Sequence, residues 1–534
     1  MRAEDVRAMV LEARDSPTGL TIHRTWIDGT LDLDFLTMAG PLTLVGCHLP
    51  EELTMRHAQL ATVDLSSTTA WGVRAEGLRT RSFEMTDARC SDAFDLDHAQ
   101  IDGTLSLNRT SIGSFSAYGL KVGGSFMASG LHAWPGWRGG CPLFLEDIDI
   151  GGDLALDEAT VTGLDGPAII ANGARVGGVV FAKNAILRGD DDAFLLLEAD
   201  IGGLHLGGAV LRGTLCTDGA RIRSEVKLSG INAVSRQAGA TIRMVDTKIG
   251  AGLVLSGLVR NRGGRAVSLH MTTVGASLTI SEAEIDADTA AAALEISNCD
   301  IGSELTLRPD KLRNRGDGLE LDLFSTKAGR ALGLEPATLV DADASVTLNG
   351  LSYPDAPEDA DAWLTMLREH TFRYEAQSYQ QLAAVHRTAG HEHTARRVLI
   401  AQQEDLRRRG DPGNRLWHRF LGVTLGYGYK PSRAVAGLLA TFLLALCLVW
   451  TTGAHNGLAP AKDRPADSCS PVNRISLAAD LAIPLVKLGG TPRCELANGP
   501  AGQWATGAGW VVQVLGWSFA TLSVAGFTGL VRKS

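Results

Sequence analysis

The stretch IDGTLSL at residues 101–107 repeats, with one change, the stretch IDGTLDL at residues 27–33, which lies 74 positions earlier. Both copies follow the pattern aliphatic-x-small-x-aliphatic-x-aliphatic, and alternate positions of a strand share one face. A catalytic motif seldom needs a second copy, whereas a structural unit that stacks on itself does. The duplication therefore indicates a repeat fold.

The same pattern begins again at residues 150, 176, 222, 249, 274 and 301, and neighbouring starts are 25 to 27 residues apart where the series is unbroken. The 74-residue separation is close to three such periods. One coil cannot bury its apolar face alone, but stacked coils form a continuous aliphatic ladder. The sequence thus predicts a mainly β fold, with a β-solenoid repeat rod over residues 20–350 in roughly 13 coils. The small residue of the pattern would point away from the aliphatic face or mark a corner where bulk would clash. The number of coils between 45 and 100 stays open.

Helical segments are predicted on both sides of the rod. Residues 1–19 place apolar side chains at helical spacing and predict an N-terminal capping helix. After residues 353–364 the period becomes helical again, and two amphipathic segments meet at Gly390. They predict a helical hairpin adaptor over residues 355–410, which caps the last coil of the rod.

Three histidines, His386, His391 and His393, lie near the predicted hairpin turn. They could hold a metal ion, but no fitting set of carboxylates or thiols accompanies them. A solvated turn is therefore the favoured interpretation.

Two uncharged stretches, residues 434–452 and 505–531, are long enough to cross a bilayer and predict two transmembrane helices. The basic juxtamembrane segment 411–433 would lie on anionic headgroups, or form a solvated linker. Because basic residues collect on the cytoplasmic side, the loop 453–504 is expected outside the cell. The N-terminal domain and the C-terminus are then cytoplasmic, at the plasma membrane.

Two cysteines, Cys469 and Cys494, flank an apolar segment of that external loop, residues 475–488. An oxidising compartment makes them a disulfide candidate. Leu477, Leu481, Leu485 and Leu488 share one face of a short helix, which is too short to span and suits an interfacial or re-entrant position. The single cysteines of the rod are interpreted as small buried hydrophobic residues.

Charge is divided unevenly along the chain. Residues 411–534 carry 11 basic and 5 acidic side chains, so the net charge of −10 leaves −16 on residues 1–410. An acidic rod repels phosphate backbones, and nucleic acid is therefore not an expected partner. Membrane lipid is an expected partner, together with a protein bound on the solenoid surface.

Several stretches carry a resemblance to a known family: RYEAQSYQQLAAVHRTAGHEHTARRVLIAQQ (373–403), GYGYKPSRA (426–434) and GWSFATLSVAGFTGLVRK (516–533). With the solenoid, they resemble an actinomycete family that joins a pentapeptide-like repeat rod to a two-span tail. Its members are commonly labelled membrane-associated oxidoreductases. The resemblance implies redox chemistry, without a motif that assigns catalytic residues.

The sequence shows no motif that redox chemistry would require. A dinucleotide site needs G-x-G-x-x-G between a strand and a helix, and haem, iron–sulfur or dithiol chemistry needs closely spaced cysteines. The sequence therefore nominates no catalytic, cofactor-binding or metal-binding residue and no cofactor. A membrane-anchored interaction scaffold is the favoured function, with an oxidoreductase as the alternative. A small two-span pore subunit is a further alternative, although Lys487 would disfavour cations.

Overall fold

The structure is a computed structural model that describes residues 1–135, 140–336, 339, 343–409, 432–461, 469–483 and 494–527. The chain divides into two compact units, residues 1–389 and 390–534. The basic segment predicted at 411–433 lies almost entirely outside the described residues, as do Lys487 and the end of the second predicted span.

The first unit is a parallel β-solenoid of about 13 turns, so the predicted fold class is confirmed. Its strands in chain order are Leu20–His23, Leu31–Asp32, Thr37–Met38, Leu42–Val45, His48–Thr54, Gln59–Leu60, Val63–Asp64, Thr69–Arg74, Arg79–Thr80, Phe83–Glu84, Arg89–Asp95, Gln100–Ile101, Leu105–Ser106, Ser111–Ser116, Lys121–Val122, Phe126–Met127, His132–Ala133, Leu143–Phe144, Asp149–Ile150, Leu154–Ala155 and Thr160–Thr162. They continue as Ile169–Ile170, Arg175–Phe181, Ile186–Leu195, Asp200–His205, Val210–Cys216, Arg221–Ile222, Val226–Ser235, Ala240–Val245, Lys248–Ile249, Leu253–Asn261, Arg265–His270, Thr273–Val274, Leu278–Ala287, Leu294–Ser297, Asp300–Ile301, Glu304–Arg308, Lys311–Asn314, Leu321–Asp322, Lys327–Ala328, Ala331–Leu334 and Val346–Thr347.

Each coil has four faces, and each face contributes one buried side-chain ladder along the rod. The ladder of face 1 runs from Met38 through Ile101 to Ala328, and that of face 2 from Leu42 through Leu105 to Leu332. The ladder of face 3 runs from Leu49 through Ile112 to Leu312, and that of face 4 from Leu31 through Phe115 to Val346. Nearly all of these side chains are buried, so the four ladders together form the core.

The two heptapeptides do not occupy equivalent places, and the expectation that 74 residues make three periods is wrong. Leu31 pairs with Leu53 on face 4, whereas Leu105 pairs with Phe126 on face 2. Successive partners between Leu20 and Phe126 are 20 to 22 residues apart, so 74 residues make about three and a half coils. Because every face needs the same inward alternation, one pattern fits either face.

In the copies of the repeat from residue 101 onward, the small residue lies at the corner between faces 1 and 2, next to a column rich in glycine. Eight coils have glycine in this column: Gly123, Gly151, Gly177, Gly202, Gly250, Gly275, Gly302 and Gly329. A Cβ at any of these positions would stand 2.1 to 2.3 Å from a carbonyl oxygen of the preceding coil. The backbones of adjacent coils approach here too closely for most side chains.

Helices close both ends of the solenoid. Helix α1 (Ala3–Glu12) lies on the first coil, where its Ala3 N–H donates to the Asp28 carbonyl at 2.8 Å. Helix α2 (Ala360–Thr365), a π-helical turn (Met366–His370) and helix α3 (Ala376–Thr388) follow the last coil. Helices at the ends of a rod protect strand edges that would otherwise promote association.

Side chains at the C-terminal end replace the next strand of the ladder. The Glu375 carboxylate accepts from the Leu348 N–H at 3.0 Å, and the Gln377 side-chain carbonyl accepts from the Gly350 N–H at 2.7 Å. The Gln381 amide donates to the Tyr353 carbonyl at 2.7 Å. His386 belongs to the buried face of α3 and is 3% exposed, so the predicted solvated turn is wrong for this residue.

The second unit contains helices α4 (Glu392–Arg409), α5 (Ser432–Ala454), α6 (Pro471–Ala482) and α7 (Pro500–Phe527). Strands Leu458–Pro460 and Cys494–Leu496 pair antiparallel. Two helices, over Ala434–Ala454 and Pro500–Val524, are long and apolar enough to cross a membrane. Cys469 and Cys494, the pair singled out in the sequence, form a disulfide with their Cα atoms 5.1 Å apart.

Helix α6 packs against both α5 and α7, which also pack against each other. It begins four residues before the predicted segment and buries Ala478, Ala479 and Ala482. A Cβ on Gly516, near the middle of α7, would stand 2.2 Å from the Ala482 carbonyl oxygen, so the end of α6 touches the middle of α7. Of the predicted leucine face, Leu477 and Leu481 pack on this core, and Leu485 and Leu488 lie outside the described residues.

The glycine column makes a stability prediction. Gly275→Ala places a Cβ 2.2 Å from the Gly250 carbonyl oxygen, so the two coils must separate locally. We expect a loss of about 2 kcal/mol in the free energy of unfolding, measured by urea denaturation. Gly239→Ala is the control, because its nearest atom is 4.0 Å away on a flexible side chain. Equal unfolding midpoints for the two variants would contradict the close approach.

Candidate binding surface

The outward side chains of face 1 form one straight row along the rod, which we call the outer row. Its members, one per coil, are Thr37, Gln59, Arg79, Gln100, Lys121, Asp149, Arg175, Asp200, Arg221, Lys248, Thr273, Asp300 and Lys327. Farther along the row, Asp149 and Asp200 each lie between two cations. Among the first coils, Gln100 lies between Arg79 and Lys121, and Gln59 lies on the other side of Arg79, so Arg79 has no acid next to it in the row.

A groove of about 560 Å³ lies at the corner between faces 4 and 1, beside the first half of the outer row. It is lined by His57, Gln59, Gly77, Arg79, His98, Ala99, Gln100, Gly119 and Lys121. We call it the His–Arg groove. Its lining is mostly polar and cationic, in contrast to the net acidity of the rod.

The corner conformation positions the two imidazoles. His57, Gly77, His98 and Gly119 stand one above the other in successive coils, and all four have positive φ angles between 54° and 68°. Each imidazole leans over the glycine of the next coil. A Cβ on Gly77 would stand 2.4 Å from His57 Nδ1, and one on Gly119 would stand 2.8 Å from His98 Nδ1. The alternation of histidine and glycine therefore leaves room for the rings along the groove.

The cationic and amide groups of the groove are not engaged elsewhere. Within the described part of the chain, the side chains of Gln59, Arg79, Gln100 and Lys121 make no hydrogen bond or ion pair. Other arginines of these coils do form pairs, such as Arg56 with Asp34 at 2.7 Å and Arg109 with Asp87 at 2.7 Å. The groove thus collects free donors on a rod whose other cations are often neutralised.

Three carboxylates border the groove on the face 4 side. Burial, with repulsion from Asp97 and Glu76, raises the pKa of Asp95 to about 7. Glu76 Oε2 is buried and has no hydrogen-bond partner among the described residues. A proton held by Asp95 can satisfy that oxygen.

Face 4 also carries the group of serine, histidine and glutamate side chains that most resembles a hydrolase site. Ser297 Oγ lies 2.8 Å from His270 Nδ1 and donates to Glu295 Oε1 at 3.0 Å, and Ser268 Oγ donates to Glu295 Oε2 at 2.7 Å. However, Ser297 is 3% exposed and its proton is directed to the carboxylate rather than to the imidazole. This network orders neighbouring strands and does not present a nucleophile.

The thiols of the solenoid are not poised for chemistry. Cys47, Cys90, Cys216 and Cys299 are buried as predicted, whereas Cys141 is only half-buried. Burial raises the pKa of Cys90 and Cys299 to about 12 and that of Cys141 and Cys216 to about 11. These groups are therefore protonated, and a protonated thiol is a poor nucleophile and metal ligand. In the described ranges no three His, Cys, Asp or Glu side chains converge as metal ligands.

The sequence did not nominate the His–Arg groove. Its residues are spread over 65 positions, from His57 to Lys121, and become neighbours only when the coils are 20 to 22 residues long. The recurrence of histidine and of cations or glutamine at that spacing is the signal that a correct period would have exposed. With a 25-residue period these positions fall on different faces.

The fold and this surface define a capped β-solenoid joined to two apolar helices. Searches against protein-family models, curated proteins and solved structures found no match to the chain.

The raised pKa of Asp95 predicts a pH-dependent effect of Asp95→Asn. The folded pKa of about 7 exceeds the usual value of about 3.9, so this residue's contribution to stability is complete below pH 4 and is lost as the pH rises through 7. Asparagine removes the charge, and we expect about 1 kcal/mol of stabilisation at pH 8, discounted for partial exposure, and little change at pH 5. Urea midpoints at both pH values measure this.

Asp286→Asn is the control, because the pKa of Asp286 is shifted in the opposite direction to that of Asp95. Hydrogen bonds from Arg315, at 2.9 and 2.7 Å, lower the pKa of Asp286, so its contribution to stability is present above pH 4 and is lost below it. This variant should be less stable than the parent at both pH 5 and pH 8. A shift of the Asp95→Asn midpoint that is the same at both pH values would contradict the raised pKa of Asp95.

Proposed function

We propose that the chain is a membrane-anchored scaffold, in which the solenoid is the recognition surface and α5 and α7 are the anchor. The observation that carries the proposal is the joining of a closed, regular rod to two helices whose apolar side chains face outward. A rod of this kind holds exposed side chains in fixed columns, and solenoids bind partners through such surfaces.

The exposure of apolar side chains supports an anchor. Leu439 and Leu443 of α5 are 60% and 56% exposed, and Trp504 and Trp510 of α7 are 83% and 67% exposed. An aqueous surface of this composition would promote association. In a bilayer the same side chains meet hydrocarbon, and tryptophans at the start of α7 suit the interface.

The orientation is part of the proposal. Arg407, Arg408 and Arg409 end helix α4 before the first span, and the basic residues after the second span lie outside the described residues. Under the positive-inside rule this places the solenoid and the C-terminus in the cytoplasm and the Cys469–Cys494 disulfide outside the plasma membrane. A disulfide fits that compartment.

The anchor is tested by membrane fractionation of the full chain in bacterial cells. The parent chain should stay in the membrane pellet after washing at high pH. Leu439→Asp with Leu443→Asp should lose the pellet fraction, because each carboxylate costs about 3 kcal/mol near the centre of a span. Leu11→Asp, at an exposed leucine of α1, is the matched control and should remain in the pellet. A soluble parent chain would contradict the anchor.

The orientation is tested with a membrane-impermeant maleimide on intact cells. After mild reduction, Cys469 and Cys494 should be modified, and a cysteine introduced at Thr18 should be modified only after the cells are permeabilised. The reverse pattern would place the solenoid outside the cell.

The recognition surface is tested by site-specific photo-crosslinking in the native host. A photoreactive residue replaces Thr273, Thr279 or Thr160, which point outward from faces 1, 2 and 3. If the chain is a scaffold, the photoreactive residue on at least one face should give one defined protein adduct. The same photoreactive residue at Val514 of α7 should give none. If no position on the solenoid yields a protein adduct, the scaffold proposal fails.

The position of α6 favours one second candidate, a small pore subunit. Arg474 of α6 lies near Gly453 at the end of α5, and Ala482 reaches the middle of α7. A short helix that packs against two spans and ends beside the middle of one of them is compatible with a re-entrant pore element. Ion flux through liposomes containing the full chain would support this candidate, and tight liposomes would exclude it.

A further inference from the structure

We propose that the His–Arg groove is a binding site for a small oxyanionic ligand that carries phosphate or carboxylate groups. The site is independent of the proposed membrane anchor, because all of its residues belong to the solenoid. The anion would sit over Gln100, between Arg79 and Lys121.

The register of the ladder creates this arrangement. Gln100 pairs with Arg79 of the preceding coil and with Lys121 of the following coil. Strands one coil apart are separated by about 4.8 Å, so the backbones of Arg79 and Lys121 flank that of Gln100 at about that distance on either side. His98 is two residues from Gln100 on the same coil and also lines the groove. One guanidinium, one ammonium, one amide and one imidazole therefore surround a single position.

Each of these groups can donate to an oxyanion. The guanidinium of Arg79 offers a planar pair of N–H donors that matches two oxygens of a phosphate or carboxylate. The Lys121 ammonium adds a second positive charge, and the Gln100 amide adds neutral donors. Since none of the three bonds to another described residue, an anion would displace water and no existing ion pair.

The surroundings restrict the ligand to a small molecule. The groove volume of about 560 Å³ is that of a small-molecule site. Beyond Lys121 the outer row continues with Asp149, and carboxylates recur along it. A long polyanion laid along the row would meet these charges, so the favourable region is limited to the first coils.

The neighbouring carboxylates do not cancel the cations of the groove. Asp97 is already engaged, because it accepts from Ser116 Oγ at 2.6 Å and from the Tyr118 N–H at 2.7 Å. Burial raises the pKa of Asp95 to about 7, so this carboxyl is partly neutral near neutral pH. The acids border the face 4 side, and the outer row side keeps its two free cations.

The test is isothermal titration of the purified full chain in detergent with two probes, inorganic tripolyphosphate and citrate. Arg79→Gln removes one charge between Gln59 and Gln100 and should weaken binding at least tenfold. Arg175→Gln is the matched control, because Arg175 occupies the same row between Asp149 and Asp200. It should change affinity less than twofold. Circular dichroism checks that both variants remain folded.

The probes also distinguish the two sources of the oxyanion. Tighter binding of tripolyphosphate, lost in Arg79→Gln, indicates a phosphorylated ligand, whereas tighter binding of citrate with the same loss indicates a polycarboxylate. Lys121→Gln gives a second variant, and it should weaken the preferred probe in the same direction. Equal weakening by Arg79→Gln and Arg175→Gln, or no binding of either probe at millimolar concentration, would overturn the proposal.

Discussion

The hydrogen-bonded ladder between successive coils is the interaction on which the whole rod depends. Backbone groups of one coil bond to the next throughout the solenoid, as where the Gly275 N–H donates to the Ile249 carbonyl at 2.8 Å and the Gly302 N–H to the Val274 carbonyl at 2.8 Å. No coil closes these bonds or buries its apolar side chains alone. The first and last coils consequently need substitutes for a neighbour, which α1 and the side chains of Glu375, Gln377 and Gln381 provide.

The same ladder determines which surface residues become neighbours. Since every coil adds about 4.8 Å, residues about 21 positions apart become neighbours in an outward column. Glutamine in place of aspartate at Gln59 and Gln100 leaves Arg79 without an acid on either side in its row. Glycine at Gly77 and Gly119 makes space for the imidazoles of the preceding coils. A few substitutions at fixed spacing thus produce a local cationic groove on an acidic rod.

The sequence predicted the fold class and the two long apolar helices because aliphatic alternation and uncharged length are local signals. It did not predict the face on which each repeat lies. The pattern of IDGTLDL satisfies either a corner between faces 3 and 4 or one between faces 1 and 2, and only the lengths of the intervening coils decide. The groove was missed for the same reason. The prediction of a solvated turn was wrong for His386. Its burial depends on tertiary contacts, and helical spacing alone does not distinguish a buried position on a helix from a position in a nearby turn.

The register of the first coils is tested most directly by disulfide trapping between paired cysteines in the full chain. The ladder pairs Gln59 with Arg79, 20 residues later, and Cα atoms one strand apart lie within the range of a disulfide. Cysteines at 59 and 79 should therefore crosslink rapidly under mild oxidation. Cysteines at 59 and 84, which a 25-residue period would pair, should not. Crosslinking of 59 with 84 and not with 79 would contradict the coil length and, with it, both the four-faced solenoid and the groove.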